Sequence, residues 1–373
     1  MSFSIGTAIR ITIFGESHGK ALGVVIDGLP SGEEISWDYV HQKMQRRAPG
    51  LQSYTTGRKE TDEFEVLSGI SGGLTNGAPL SAIIGNHDFK SKDYDAFRSI
   101  PRPMHGDYPA AIKYKDGYNG SGGSFFSGRM TAPLVLAGAI LNSILEKRGI
   151  YIGAHIYSIG EIQDTPWDPV NLLKEKLQKM NQEVFPVESE EKAIEMKEEI
   201  DKVQKQGDSI GGVVECGVTG LPVGVGEPFF EGLESVISQI VFSIPGVKAI
   251  EFGSGFKGTT MRGSQHNDSF QFQDSEGNHT SGNHISKVIT TSNNHGGILG
   301  GLSTGMPILL RAGFKPTASI FMEQDTVNLE TGENTKIQIK GRHDPCIVPR
   351  GVVCVEAGVA IAISELMMKG KML

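Results

Sequence analysis

The chain has 373 residues, 21% of them charged, and a formal net charge of −8, so it is long enough for a large core, and its overall field disfavours nucleic acid and acidic membranes as partners. Three cysteines, Cys216, Cys346 and Cys354, form no CxxC pair and are too few for a disulfide framework or a zinc site, which suits a reducing cytoplasm. The opening Met1-Ser-Phe-Ser-Ile-Gly6 lacks the basic and apolar regions of a secretory signal, and no uninterrupted apolar run reaches about eighteen residues, so a soluble, non-exported protein off the membrane is expected.

Ile9, Ile11 and Ile13 alternate with polar residues before Gly15, and 24–26 follows a turn spanning Gly19 to Gly23; this predicts two antiparallel strands. Ser36 is expected to cap a helix that carries Arg46 and Arg47 at its end and stops at Ala48-Pro49-Gly50. Strands are predicted at 65–67, 81–84, 152–158 and 213–218. Between them, glycines 120, 122 and 123 form a loop, and Thr131-Ala-Pro133 opens a helix over 134–147, which sets Arg129 at or just before its N-terminus. The stretch 171–206 crowds lysines with acidic residues while Met196, Ile200 and Val203 share one face, and reads as a peripheral helical excursion with a solvated charged side. Further helices are predicted at 233–242, ending at Pro245, and at 355–368.

One internal echo stands out. Gly69-Ile-Ser-Gly-Gly-Leu-Thr-Asn-Gly-Ala-Pro79 and Gly297-Ile-Leu-Gly-Gly-Leu-Ser-Thr-Gly-Met-Pro307 match at seven of eleven positions, and each leads into an apolar strand, which suggests internal pseudo-symmetry. No Pro/Ser linker or composition break divides the chain, so residues 1–373 are expected to form a single α+β domain.

The chemistry is concentrated in five places. Arg102-Pro-Met-His105-Gly-Asp107, the glycine-serine run and Ser127-Gly-Arg129 combine guanidinium groups, a helix start and a titratable imidazole, the makings of an anion site. Gly15-Glu-Ser17-His18-Gly19 puts a hydroxyl and an imidazole at a strand end. Ser292-Asn-Asn-His295 runs into a glycine-rich turn that ends at Gly300 and Gly301. Lys315-Pro316-Thr317-Ala318-Ser319 offers a cation and two hydroxyls on a proline-stiffened segment, and Gly341-Arg342-His343-Asp344 a guanidinium and a carboxylate in one turn. Neither GxGxxG nor GxxxxGK[ST] occurs in the glycine-rich loops, and HExxH is absent, so no Rossmann nucleotide site, P-loop or metal centre is expected. On these residues alone a phosphotransferase or phosphate-ester hydrolase, and a non-catalytic receptor for an anionic metabolite, remain open.

Taken together, GESHG at 15–19, Arg46-Arg47-x-Pro-Gly50, RPMHGDY at 102–108, SGR at 127–129, RGSQ at 262–265, HGGILGG at 295–301, KPTAS at 315–319 and GRHDPC at 341–346 resemble the chorismate synthase family, in order and over nearly the whole chain. The resemblance implies a β-α-β sandwich, with antiparallel sheets around a helical layer, assembled as a homotetramer. It implies a lyase that eliminates phosphate from 5-enolpyruvylshikimate 3-phosphate to give chorismate, requiring reduced FMN without net redox change. No nicotinamide motif is inserted, so a separate flavin reductase is the expected source of reduced FMN.

By the same resemblance Arg47, Arg102, Ser127, Arg129 and Arg342 bind the substrate. Phe125, Phe126, Ser127, Gly246, Gly300, Lys315, Pro316, Thr317, Ala318, Ser319 and Arg342 face the flavin. His18, beside Ser17, protonates the leaving phosphate, His105 keeps the flavin in its reactive protonation state, and Asp344 serves proton movement at N5. The chain departs from the common pattern at two places. Phe125-Phe126 stands where many members carry Arg-Ser, so these two rings are expected to pack rather than hydrogen-bond, and Ser53 stands where many carry an arginine that Arg58 is expected to replace.

Overall fold

The computed structural model describes residues 3–50, 61–86, 99–118, 121–273, 288–339 and 343–373; Ser53, Arg58, Gly120 and Arg342 lie outside them. The first half runs β1 (Ser4–Ile5), β2 (Arg10–Gly15), β3 (Ala21–Asp27), α1 (Trp37–Arg47), β4 (Phe64–Ser68), the short pair β5 (Ile70–Ser71) and β6 (Leu74–Thr75), β7 (Leu80–Gly85), α2 (Asp107–Tyr114) and α3 (Thr131–Lys147). The second runs β8 (Tyr151–Ile159), β9 (Ile162–Gln163), α4 (Lys174–Gln182), α5 (Glu190–Lys205), β10 (Gly212–Thr219), α6 (Leu233–Val241) and β11 (Val247–Phe252). It continues with α7 (Gly263–His266), β12 (Phe270–Phe272), β13 (Val288–Thr290), β14 (Ile298–Leu299), β15 (Leu302–Ser303), β16 (Ile308–Phe314), β17 (Gln324–Asn328), β18 (Glu333–Ile337) and α8 (Val348–Lys369).

Two five-stranded antiparallel sheets result, ordered β1-β2-β3-β7-β4 and β11-β16-β10-β8-β9. Alternation fixes their register. In the first, Leu22, Val24 and Ile26 stand opposite Ile84, Ala82 and Leu80, and all six are buried. In the second, Val214, Cys216 and Val218 stand opposite Ile156, Ala154 and Ile152 on one side and Ala312, Leu310 and Ile308 on the other, again all buried.

The apolar faces are covered by α3 and α8. Helix α3 packs on strands of the first sheet, α8 on strands of the second, and the two helices pack on each other. Both are apolar on every side, as fully buried helices must be. By length and hydropathy Gly128–Lys147 and Val348–Lys369 are each able to cross a bilayer, yet 94% of either window is buried inside the protein. Their close approach depends on Gly138: a Cβ there would lie 2.4 Å from the Cα of Ala357. At the far end of α8, the buried carboxylate of Glu365 accepts hydrogen bonds from the backbone N–H groups of Thr7, Ala8 and Ile9 at 2.8, 3.1 and 2.7 Å, pinning the approach to β2.

Three expectations change and one gains detail. Ser36 occupies the N-cap of α1, but its side chain makes no capping bond. Arg129 does stand just before the N-terminus of α3, within the second of two 3₁₀ turns, Ser121–Phe126 and Gly128–Met130, that precede the helix. Helix α8 begins well before residue 355, because Pro349 fits its first turn. The 171–206 stretch is less peripheral than its charge suggests: α4 packs on β8, and its Asn181 accepts a hydrogen bond at 2.8 Å from buried Lys43, which pairs with Glu356 at 2.5 Å.

The two echoing segments are alike locally. Each makes a hairpin whose two turn glycines have positive φ, 59° and 84° at Gly72 and Gly73, 62° and 88° at Gly300 and Gly301, as a tight primed turn demands. Thr75 Oγ1 donates to Pro30 O at 2.6 Å and accepts from the N–H of Glu33 at 2.8 Å; Ser303 Oγ donates to Pro222 O at 2.5 Å and accepts from the N–H of Val225 at 2.8 Å.

Candidate active site

A cleft of about 250 Å³ opens where the strand ends and helix starts of both halves converge. Its wall includes His18, Arg47, Arg102, His105, Phe126, Ser127, Arg129, Gly246, Lys315, Thr317, Ala318, Ser319 and Asp344, so most residues singled out from the sequence meet in one place. His343 and Arg350, which the sequence reading passed over, join them.

The arginines are already engaged, which the sequence does not reveal. Arg47 Nε donates to Asp62 at 2.5 Å, and Arg129 pairs with the other oxygen of the same buried carboxylate. Asp62 therefore neutralises one of two desolvated cations and holds both in place. Arg102 grips Asp107 through Nε at 2.7 Å and Nη2 at 2.9 Å and donates to Ser319 Oγ at 3.2 Å. Asp344 is bound by Arg350. Arg47, Arg102 and Arg129 thus each face the cleft while held by a buried carboxylate.

His105 Nδ1 lies 2.6 Å from Asp107, a contact that sets ring orientation and tautomer. Burial lowers its pKa, and the Asp107 hydrogen bond offsets this only in part. Burial works to raise Asp107, but the hydrogen bonds from Arg102 and His105 outweigh it and keep the carboxyl ionised far below the usual range. The loop comes close to this imidazole: Gly123 has φ 79°, and a Cβ there would meet Nε2 at 3.3 Å, so only glycine is comfortable.

Phe125 packs edge-on to Phe3, Tyr114 and Tyr118, with ring centroids 5.7, 5.2 and 6.1 Å away, and is not on the cleft wall, whereas Phe126 is. Ser127 Oγ accepts from the N–H of Arg129 at 3.2 Å. The segment 315–319 is sewn in by its neighbours: Lys315 N–H donates to Gly246 O at 2.9 Å and Thr317 Oγ1 to Asp344 O at 2.9 Å. Burial, then nearby Lys248, lowers the Lys315 pKa.

Ser17 is fully buried behind the wall, and its Oγ has no hydrogen-bond partner among the described residues. Pro316 and Gly300 are not brought to the cleft wall either. Gly300 lies in the β14–β15 turn, exposed, so any contact it makes to a ligand in this cleft is not made from where it stands in this chain.

A family model described as chorismate synthase matches residues 9–368. Chorismate synthase of Thermococcus kodakarensis is 42% identical over 365 residues, covering 98% of this chain and 97% of that protein, and that of Methanococcoides burtonii is 43% identical over 368 residues, covering 98% and 96%. The chain belongs to the chorismate synthase family. A solved structure titled as a crystal structure of chorismate synthase superposes with a TM-score of 0.75 at 27% identity over 98% of this chain and 93% of the other, in agreement with helices combined with antiparallel sheets.

Chorismate synthases are lyases of the shikimate pathway to the aromatic amino acids, and the chain is an enzyme of this kind. They eliminate phosphate from 5-enolpyruvylshikimate 3-phosphate and depend on flavin. The hydrolase, phosphotransferase and receptor readings find no support beside these matches. Asp62 was missed because nothing in Thr61-Asp62-Glu63 distinguishes it. Arg350 was missed because the helix was expected only from 355 and nothing marked the arginine ahead of it; His343 lay inside a quoted motif with no task of its own.

Proposed function

We propose that the reaction takes place in this cleft, with Arg47, Arg102, Arg129 and Lys315 meeting the two carboxylates and the phosphate of the substrate. The observation that carries the reading is the convergence of His18, His105 and Asp344 with those cations on one wall. The donor set also suits a flavin phosphate and polar ring edge. His343 Nε2 and Arg350 Nε, both buried on this wall, lack partners among the described residues, and a bound anionic or carbonyl-bearing group would satisfy them. Phe126, Ser127, Gly246 and 315–319 would hold it, with Arg342 assigned by resemblance.

Reduced flavin, when bound, supplies transient electron donation that weakens the ring C–O bond and a destination for the departing ring hydrogen. The protein's share is electrostatic and positional. Arg129 and Arg47, locked on Asp62, keep a net positive charge where phosphate leaves. His18 delivers a proton to that phosphate, which then departs with less charge. His105, held by Asp107, exchanges a proton through Nε2, and Asp344, oriented by Arg350, accepts one. Anaerobic incubation with 5-enolpyruvylshikimate 3-phosphate and dithionite-reduced FMN is expected to yield chorismate absorbance. Product formed equally without flavin, or none with it, would overturn the reading.

His105→Ala is expected to fold and to lose turnover by roughly 10²- to 10⁴-fold; near wild-type rates at saturating reduced FMN would refute that role.

We further infer a β-α-β sandwich with internal pseudo-symmetry, supported by the corresponding orders of four strands, β2-β3-β7-β4 and β8-β10-β16-β11, and by the matched Thr75 and Ser303 bonds, and testable by superposing the halves. A homotetramer, by family resemblance, is to be read by sedimentation at micromolar concentration. An external flavin reductase is expected, and activity of the pure protein with NADPH alone would overturn it. Three buried free cysteines fit a reducing cytoplasm.

A further inference from the structure

Asn86 is the first residue beyond β7, 7% exposed, and its N–H donates to Lys20 O at 3.2 Å. Its carboxamide faces three groups at once. Nδ2 donates to Glu16 O at 3.1 Å and to Gly19 O at 2.9 Å, the two carbonyls on either side of Ser17-His18. Oδ1 accepts from Arg129 Nε at 3.0 Å. We propose that Asn86 is a positioning residue that sets the His18 turn and the Arg129 guanidinium in one frame, so that the proton donor and the anion-holding cation keep a fixed separation across the leaving phosphate.

The residue type follows from the partners. Two carbonyls require donors and a guanidinium requires an acceptor; among short side chains only asparagine offers two N–H donors and a carbonyl oxygen. Aspartate keeps the acceptor but faces both carbonyls with lone pairs. Alanine leaves buried polar atoms on both sides. The turn has a second tether, from Ser124 Oγ to Glu16 at 2.9 Å and from the N–H of Ser17 to Ser124 O at 3.3 Å, so losing Asn86 is expected to loosen the turn, not unfold it.

The inference rests on His18 acting as the proton donor, and the experiment separates the two. Turnover and KM are measured at saturating reduced FMN for Asn86→Ala, His18→Ala, Arg129→Lys and the Asn86→Ala double variants, with Tm recorded for each. Asn86→Ala is expected to lower kcat by roughly 10- to 100-fold, the cost of an ångström-scale misplacement, and to raise KM. In the His18→Ala background its kcat cost is expected to shrink to less than about twofold, and in the Arg129→Lys background its KM cost to shrink, as for residues acting as a unit. Asn86→Asp, nearly isosteric, keeps the acceptor for Arg129, so it is expected to share the kcat loss of Asn86→Ala; it supplies the answer should the alanine variant not fold. Costs that persist unchanged in both backgrounds, or a wild-type kcat in Asn86→Asp, overturn the inference. A wild-type kcat in His18→Ala overturns instead the role given to His18, and with it this residue's His18 arm.

Discussion

At the scale of single residues the cleft is a set of cations whose charge is metered by acids. Removing Asp62 leaves Arg47 and Arg129 buried and facing each other, so Asp62→Asn is expected to cost about 3–5 kcal/mol in denaturant unfolding, the usual penalty for breaking a buried pair; a loss below 1 kcal/mol would mean that bulk water compensates. Histidines add a dependence on pH. Burial, then the charge of Arg102, holds His343 down to about 4 against an ordinary 6.5. Between these values the unfolded chain takes up a proton that the folded one refuses, so stability is full above pH 6.5 and falls as pH drops through the window. His105, also lowered, contributes with the same sign, whereas His155 has the opposite one. Burial opposes its charge, but hydrogen bonds to Asp164 and Glu215 raise its pKa. Tm is expected to fall more steeply from pH 7 to pH 5 in the wild type than in His343→Gln, and parallel curves would remove the assignment. The sequence disclosed the basic side of this chemistry, because arginines and histidines gather in short motifs. Asp107 and Asp344 came with the same motifs, but Asp62 stayed hidden: it meets Arg129 across 67 residues, and no spacing rule reaches that far.

Among elements, the strands and most helices were legible because alternation and proline-glycine punctuation are local. The start of α8 was not, since a first-turn proline shifts it toward the N-terminus without altering the apolar pattern, and the two 3₁₀ turns ahead of α3 left no local signal either. Nor was the packing of the two helices, which hinges on a single hydrogen atom's worth of space at Gly138. Gly138→Ala would gain helix propensity yet drive a methyl into Ala357. The expected net effect is a destabilisation of about 1–3 kcal/mol by overpacking, read from the midpoint of guanidinium unfolding; a more stable variant would show that the helices separate freely.

For the whole molecule, a net charge of −8 surrounds a cleft lined by arginine and lysine. The exterior therefore opposes the approach of a polyanion that the interior attracts. Raising salt from about 0.05 to 0.5 M shortens the screening length severalfold. It is expected to weaken the cleft's hold, so that KM rises while kcat stays nearly level; a falling KM would mean that exterior repulsion dominates. The tie between Glu365 and the N–H of Thr7 closes a loop of 358 positions, and it carries a consequence for biogenesis. During synthesis both sheets emerge before the helix that covers the second one, and the first strands wait for a carboxylate made near the end. Until then broad apolar faces stand open to water. Folding of this kind is dominated by distant contacts and is slow. The newly made chain is thus a natural client for chaperones, and ribosome-stalled chains lacking α8 should be degraded by protease where released ones resist.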